Sequence, residues 1–167
     1  MIDPAKLSAW FEAHAAPLVL YARQLTRERA QDVVQEAFVS LMQEPREPGN
    51  VKAWLYRAVR NAAISGMRSD RARVRRHDVL AETGPTWFDP RPDDLIDAAA
   101  AQARLEALPP ARREVIVLRI WSDMSFPEIG NLTGLPVSTV FDHYRSGLAA
   151  IRQQMESSCH TKNRKTT

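Results

Sequence analysis

The side chains best suited to chemistry in this chain are cations. Between Lys52 and Arg76 stand eight basic residues (Lys52, Arg57, Arg60, Arg68, Arg71, Arg73, Arg75 and Arg76) against one acid, Asp70. Eight minus one leaves +7 over a short segment, a charge that is costly to pack against itself and readily matched to phosphates. Arg57, Arg60, Asn61, Arg68 and Arg71 recur at spacings of three, four or seven, so on a helix several project from one sector. Arginines mostly position a nucleic-acid backbone, whereas the Asn61 amide could pair with a base edge and carry sequence information. A plain helix-surface amide is the alternative for Asn61.

A second constellation spans Phe126 to Tyr144, FPEIGNLTGLPVSTVFDHY. Ser125 is a good N-cap and Glu128, three residues on, completes a capping box. Ile129 and Leu132 supply a buried stripe, and Gly130 is small where a second helix must pass close. Gly134 falls at a turn that calls for positive φ. After Leu135 and Pro136, Ser138 or Thr139 can cap a second helix with Val140, Tyr144, Leu148, Ile151 and Met155 on one face. This is the pattern of a helix-turn-helix, whose second helix enters the major groove of DNA. An ordinary helical hairpin is the bland alternative, but it does not require the small residue, the glycine and the anchors together. The outward sector of the second helix holds Ser138, Phe141, Asp142 and Arg145, with Thr139 and His143 on its flank. Asp142 would repel phosphate yet can accept from a cytosine amino group, and Phe141 can touch a thymine methyl.

A third group, Asp32, Gln35, Glu36 and Gln43, lies opposite the apolar positions of its segment. Acids and amides beside an apolar edge suit a protein contact rather than DNA; spacing alone equally allows a solvated helical face. Other chemistry is missing from the pattern. His14, His77 and His160 form no metal-ligand constellation and read as surface residues. No glycine-rich phosphate loop, nucleophile elbow or paired catalytic carboxylates stand out, so neither catalysis nor a cofactor or metal is expected.

The elements that must position these residues read as all helical. Strand alternation is weak, and alanine, leucine, glutamate, glutamine and arginine abound. The 167 residues suffice for one ordinary domain or two small ones. A region from about Pro4 to His77 holds three or four helices: Leu7 to Leu25, then one carrying Val34, Ala37, Phe38, Leu41 and Met42, then one starting near Asn50 with Val51, Trp54, Leu55, Ala58, Val59 and Ala62 inward. Residues 78–97 carry six acids against Arg91, together with Gly84, Pro85, Pro90 and Pro92, and read as an acidic linker in which Trp87 and Phe88 dock. Helices resume near Ala98, and Pro110 or Ala111 starts another with Val115, Leu118 and Trp121. The helix-turn-helix follows, and residues 158–167 read as a basic, disordered tail. The single cysteine, Cys159, excludes an internal disulfide framework, so a reducing cytoplasm fits. No signal peptide and no membrane-length apolar run is found, so direct membrane insertion is not expected.

Three of these motifs together resemble a known family. Asp32-Val-Val-Gln-Glu-Ala-Phe38 is similar to the polymerase-binding helix of the extracytoplasmic-function (ECF) sigma factors of the sigma-70 family. Trp54-Leu-Tyr-Arg-Ala-Val-Arg-Asn61 resembles the next helix of the same domain, and Leu108-Pro-Pro-Ala-Arg-Arg-Glu-Val115 with the helix-turn-helix resembles the family's C-terminal domain. The resemblance covers about Leu18 to Gln154. It implies a two-domain protein, domain 2 over residues 1–77 and domain 4 over 98–157, that binds core RNA polymerase and directs it to promoter DNA. Asp32, Gln35, Glu36 and Phe38 would then contact polymerase, although Phe38 also suits a core. Arg57, Arg60, Asn61, Arg68 and Arg71 would act at the −10 element, and Ser138, Thr139, Phe141, Asp142, His143 and Arg145 at the −35 element. The linker would thread the polymerase channel, and an anti-sigma protein is a further partner common among such proteins. Trp54 could stack an extruded base or sit in the core.

The chain departs from the family pattern in two places. Ser65 stands where aspartate is usual. Phe141 or His143 replaces a common arginine or lysine, and Asp142 a serine, which implies altered or weaker −35 readout. A free-standing helix-turn-helix regulator, an interaction protein descended from such a factor and, more distantly, a nuclease are the competing readings.

Overall fold

Asp3 starts the first helix: its side chain accepts from the Ala5 amide at 3.0 Å, and Pro4 occupies a position where no amide donor is needed. The resulting helix, α1 (Pro4–Leu25), tolerates Pro17 in its interior and buries Leu18, Leu20, Tyr21, Ala22 and Gln24 beyond it. The computed structural model describes residues 2–73 and 95–163, with the backbone alone for 67–73, 95–99 and 158–163. Within these limits every element is a helix, as composition implied, and the chain divides into two units, Met1–Pro85 and Thr86–Thr167. The expected linker falls almost wholly outside the described residues.

In the first unit α1 packs with α2 (Ala30–Gln43) and α3 (Val51–Arg73), each of the three touching the other two. Helix α2 turns Val33, Val34, Ala37, Phe38 and Leu41 inward at helical spacing. Met42, expected on that stripe, is instead 53 % exposed, because the inward sector is already filled by Phe38 and Leu41. Asn50 starts α3 as its spacing predicts, accepting from the Ala53 amide at 2.9 Å through its side chain. The seam of α3 is Leu55, Tyr56, Val59 and Ala63, all essentially buried. Tyr56 meets the ring of Tyr21 with centroids 5.4 Å apart, tying α3 to α1. Lys6 and Glu47, 2.7 Å apart, join the start of α1 to the loop before α3.

The second unit comprises α4 (Leu95–Glu106), α5 (Pro110–Ile120), α6 (Phe126–Thr133) and α7 (Val137–Asn163). Helix α4 begins inside the segment assigned from sequence to the linker. Leu105, Leu108 and Ile116 form a core against which Trp121, Tyr144, Ala150 and Ile151 pack. Gly147 brings α5 and α7 together: a Cβ there would meet Ile116 Cδ1 at 2.6 Å. Leu148, expected inward, is therefore partly exposed, and Met155 is 49 % exposed. Helix α7 continues to Asn163, into the segment read from sequence as a basic tail. Ser157 donates to the Gln153 carbonyl at 2.9 Å at this end, a bond made within the helix itself.

The α6–α7 turn matches the sequence closely. The capping box is complete: the Glu128 amide donates to Ser125 Oγ at 3.3 Å, and the Ser125 amide to Glu128 Oε2 at 2.8 Å. Gly134 has φ of 75°, and a Cβ on Gly130 would lie 2.8 Å from the Leu135 carbonyl oxygen. One detail differs. Helix α7 starts at Val137, and its first turn closes on the Pro136 carbonyl, which accepts from Val140 at 3.0 Å. Ser138 and Thr139 thus lie inside the first turn and do not cap it.

No helix among the described residues is long and apolar enough to cross a membrane, and none of their His, Cys, Asp and Glu side chains group in a way that could hold a metal ion. His14, expected at the surface, is half-buried. Burial, and after it the charge of Lys52, holds its imidazole below the ordinary range. Such a group takes up a proton more readily when unfolded, so stability is full above its ordinary pKa and declines as pH falls through about 6.5 toward the lower folded value. Replacement by glutamine (His14→Gln) is therefore expected to flatten the acid side of the stability profile of the first unit, measured by urea unfolding across this pH range. At the turn, Gly134→Asn should cost about 1 kcal/mol or less, since asparagine tolerates positive φ. Gly130→Ala should cost more, because its obstacle is a backbone carbonyl that cannot swing aside. Thermal unfolding of the two variants measures the difference.

Candidate functional site

Each unit displays its polar residues because its apolar stripe leaves them no other place. On α2, Asp32, Gln35 and Glu36 are exposed while Val33, Val34 and Ala37 between them are buried. With Val39 and Ser40 they line a shallow concavity. Gln35 and Val39 are shared with an adjoining apolar groove between α1 and α2, whose walls include Leu7, Phe11, Phe38 and Met42. Phe38 itself is 6 % exposed, with its ring 5.1 Å from that of Phe11. It is a core residue that forms the groove floor, and only its edge could be offered to a partner. Sequence reasoning missed the exposed apolar rim of Phe11, Val39 and Met42. Its signal was present, since Gln35, Val39 and Met42 follow one another at helical spacing beside the acids.

Arg29 was also missed. Its Nη2 lies 3.4 Å from Glu36 Oε1, and a Cβ on Gly66 of α3 would fall 2.5 Å from its Nη1. The acidic edge of α2 and the distal part of α3 are thus bridged by one guanidinium.

On α3 the structure brings Arg57, Asn61 and Ser65 into an exposed row one helical turn apart. This row faces away from the Leu55, Tyr56, Val59 and Ala63 seam. Arg60 is half-buried on its flank. Trp54 is half-buried, between the stacking platform and the full core position that its sequence context allowed. Arg68 and Arg71 lie on the same helix, but their side chains fall outside the described residues. Arg57, with Arg60 on its flank, and the acidic edge of α2 thus lie on separate helices of one three-helix unit.

In the second unit the outward face of α7 carries Ser138, Phe141, Asp142 and Arg145, all exposed, while Thr139 and His143 are partly covered. Arg145 Nη2 and Asp142 Oδ1 lie 3.8 Å apart, a weak surface pair of two side chains exposed by about 70 %. Val140 is wholly buried and Tyr144 half-buried, as expected of an inward face. An aromatic group joins α7 to α6. Phe126 meets Phe141 at 5.5 Å and Tyr144 at 5.4 Å between centroids, and the Arg119 guanidinium sits 5.2 Å from the Phe126 ring centre. The part played by Phe126 was hidden in the sequence, where it is only an apolar residue after a cap.

Comparison with known proteins matches both units. The family model of Sigma-70 region 2 matches residues 10–73, and that of Sigma-70 region 4 matches residues 98–151. The ECF RNA polymerase sigma factor SigE of Mycolicibacterium smegmatis is 27 % identical over 170 residues; the match takes in 92 % of this chain but spans only 64 % of that longer relative. The ECF RNA polymerase sigma factor SigW of Bacillus subtilis is 30 % identical over 151 residues, covering 75 % of each chain. Among solved structures, the sigma factor RpoE of Bartonella quintana, crystallised with the anti-sigma factor NepR, shares the fold. Its TM-score is 0.63 at 21 % identity, over 89 % of this chain and 97 % of that one. With region 2 and region 4 in order along the sequence and SigW covered over three quarters of its length, the chain belongs to the ECF sigma factors of the sigma-70 family.

Proposed function

We propose that this chain is a promoter-specificity subunit that binds core RNA polymerase, with the first unit opening the −10 element and the second contacting the −35 element of promoter DNA. The observation that carries this reading is the division of charge within the first unit. Asp32, Gln35 and Glu36 stand exposed on α2, and Arg57 and Asn61 stand exposed on α3. DNA phosphates would repel the first set and attract the second. The apolar groove beside the acids supplies desolvated contact area, of the kind that anchors a protein interface inside a polar rim.

Asn61 is assigned to a base extruded from the −10 duplex. Extrusion costs a few kcal/mol, which Arg57, Arg60 and the more distal arginines offset through backbone contacts. Half-buried Trp54 packs chiefly as core, and its exposed part is the alternative platform on which such a base could stack. On α7 the residues Ser138, Thr139, Phe141, Asp142, His143 and Arg145 form the −35 surface, with Arg145 as its principal cation. Domain 2 is taken to end near residue 77 and domain 4 to run over 98–157. A cytoplasmic location follows from the partner. An anti-sigma protein is proposed as a further partner, by analogy with the complex formed by the Bartonella quintana relative.

The central test is comigration of the purified chain with core polymerase, followed by transcription from a cognate promoter. If the chain does not bind core polymerase, the proposal is lost. Reversing charge at the α2 edge with Glu36→Lys should weaken that association at least tenfold, about 1.4 kcal/mol, with the fold unchanged by circular dichroism. Arg57→Ala should instead leave polymerase binding intact. It should lower the salt dependence of promoter binding by about 0.7 to 0.9 in the slope of log affinity against log salt, the value for one lost phosphate contact. Tight duplex binding by the chain alone, as a dimer on spaced half-sites, would favour a free-standing regulator instead.

A further inference from the structure

Phe141 is out of place on a surface meant for water. It is 47 % exposed on the outward face of α7, and Val137, one turn earlier, is exposed to the same degree. Together they make a short apolar strip flanked by Ser138, Asp142 and Arg145. The strip is held from outside its own helix. The Phe126 ring stands at 88° to that of Phe141 and at 60° to that of Tyr144. The Arg119 guanidinium lies 5.2 Å from the Phe126 centroid while its Nη1 donates to the Met124 carbonyl at 2.9 Å. Residues of α5 and α6 therefore fix where the Phe141 ring can go. A side chain meant only to be tolerated at the surface needs no such support.

The floor of the major groove offers hydrogen-bonding atoms at every base pair and one apolar group, the C5-methyl of thymine. Phe141 has nothing to give a donor or an acceptor, and a methyl is the one group on base edges that it can bury. We propose that Phe141 is a specificity-determining residue that reads a thymine methyl in the upstream promoter element, and that Phe126 is the positioning residue that holds it there. This rests on the −35 reading above and sharpens it. Preference arises from an aromatic ring braced by the first helix of the motif.

The test uses holoenzyme reconstituted from the full chain and core polymerase. A randomised duplex library is selected for binding, and the enriched upstream element is resynthesised with each thymine in turn replaced by deoxyuridine, which removes only the methyl. At one or two positions the replacement should weaken wild-type binding about fourfold, the affinity equivalent of burying one methyl-sized group. Phe141→Ala should bind the two duplexes equally. Phe126→Leu, which keeps apolar bulk, should lose most of the discrimination, and Phe126→Tyr should retain it. A merely structural role for Phe126 would lower thermal stability and overall affinity without changing the thymine-to-deoxyuridine ratio. Methyl-insensitive binding by the wild type, or an unchanged ratio in Phe141→Ala and Phe126→Leu, overturns the inference while leaving the −35 reading in place. Selection that enriches no upstream element overturns both.

Discussion

Burial of the α2 stripe against α1 and α3 is the constraint from which the first unit takes its character. Val33, Val34, Ala37, Phe38 and Leu41 go inward on a helix of only fourteen residues. Fully burying a valine, leucine or phenylalanine side chain, as four of these five positions do, contributes about 1.5–3 kcal/mol. Once that sector is committed, the helical repeat forces Asp32, Gln35 and Glu36 outward, and no rotation of α2 can hide them without exposing the stripe. The same argument holds for α3, where Leu55, Tyr56, Val59 and Ala63 commit one sector and leave Arg57 and Asn61 on another. The exposed acidic edge of α2 and the exposed Arg57 and Asn61 of α3 are thus consequences of core packing rather than additions to it.

The second unit solves a different problem, setting a long helix at a fixed pose on a very short turn. Helix α6 has eight residues, too few to be stable alone, and relies on its capping box, on Gly130 and Gly134, and on buried Ile129. Gly130 admits the Leu135 carbonyl where any larger residue would push the turn away. Gly147 does the corresponding work farther along α7, allowing Ile116 of α5 to seat against the helix backbone. The aromatic group centred on Phe126 then links the outward face of α7 to the helices behind it. The buried and exposed faces of α7 share a neighbour here, since the ring that packs against half-buried Tyr144 also braces exposed Phe141.

Two parts of the reading were corrected by burial or by the start of a helix, each for a physical reason. Met42 and Leu148 sit at helical spacing from true core residues, yet are partly exposed because neighbours already fill the sector. Periodicity names a stripe but not its width. Helix α7 begins at Val137 rather than after Ser138 or Thr139, because the glycine turn lets Pro136 offer its carbonyl directly.

From the sequence by itself came the all-helical class, the capping box, the turn glycines, the asparagine at the start of α3 and the opposite charges of two segments. All of these are local: a cap, a positive φ or a run of arginines is written in neighbouring residues. The tertiary structure alone decided which polar residues share a face, that Phe38 is groove floor rather than free contact, that Arg29 reaches Gly66, and that Phe126 touches Phe141. Those facts depend on contacts between helices, and the distance between side chains far apart in the chain is fixed only when the apolar stripes of separate helices have been buried against each other.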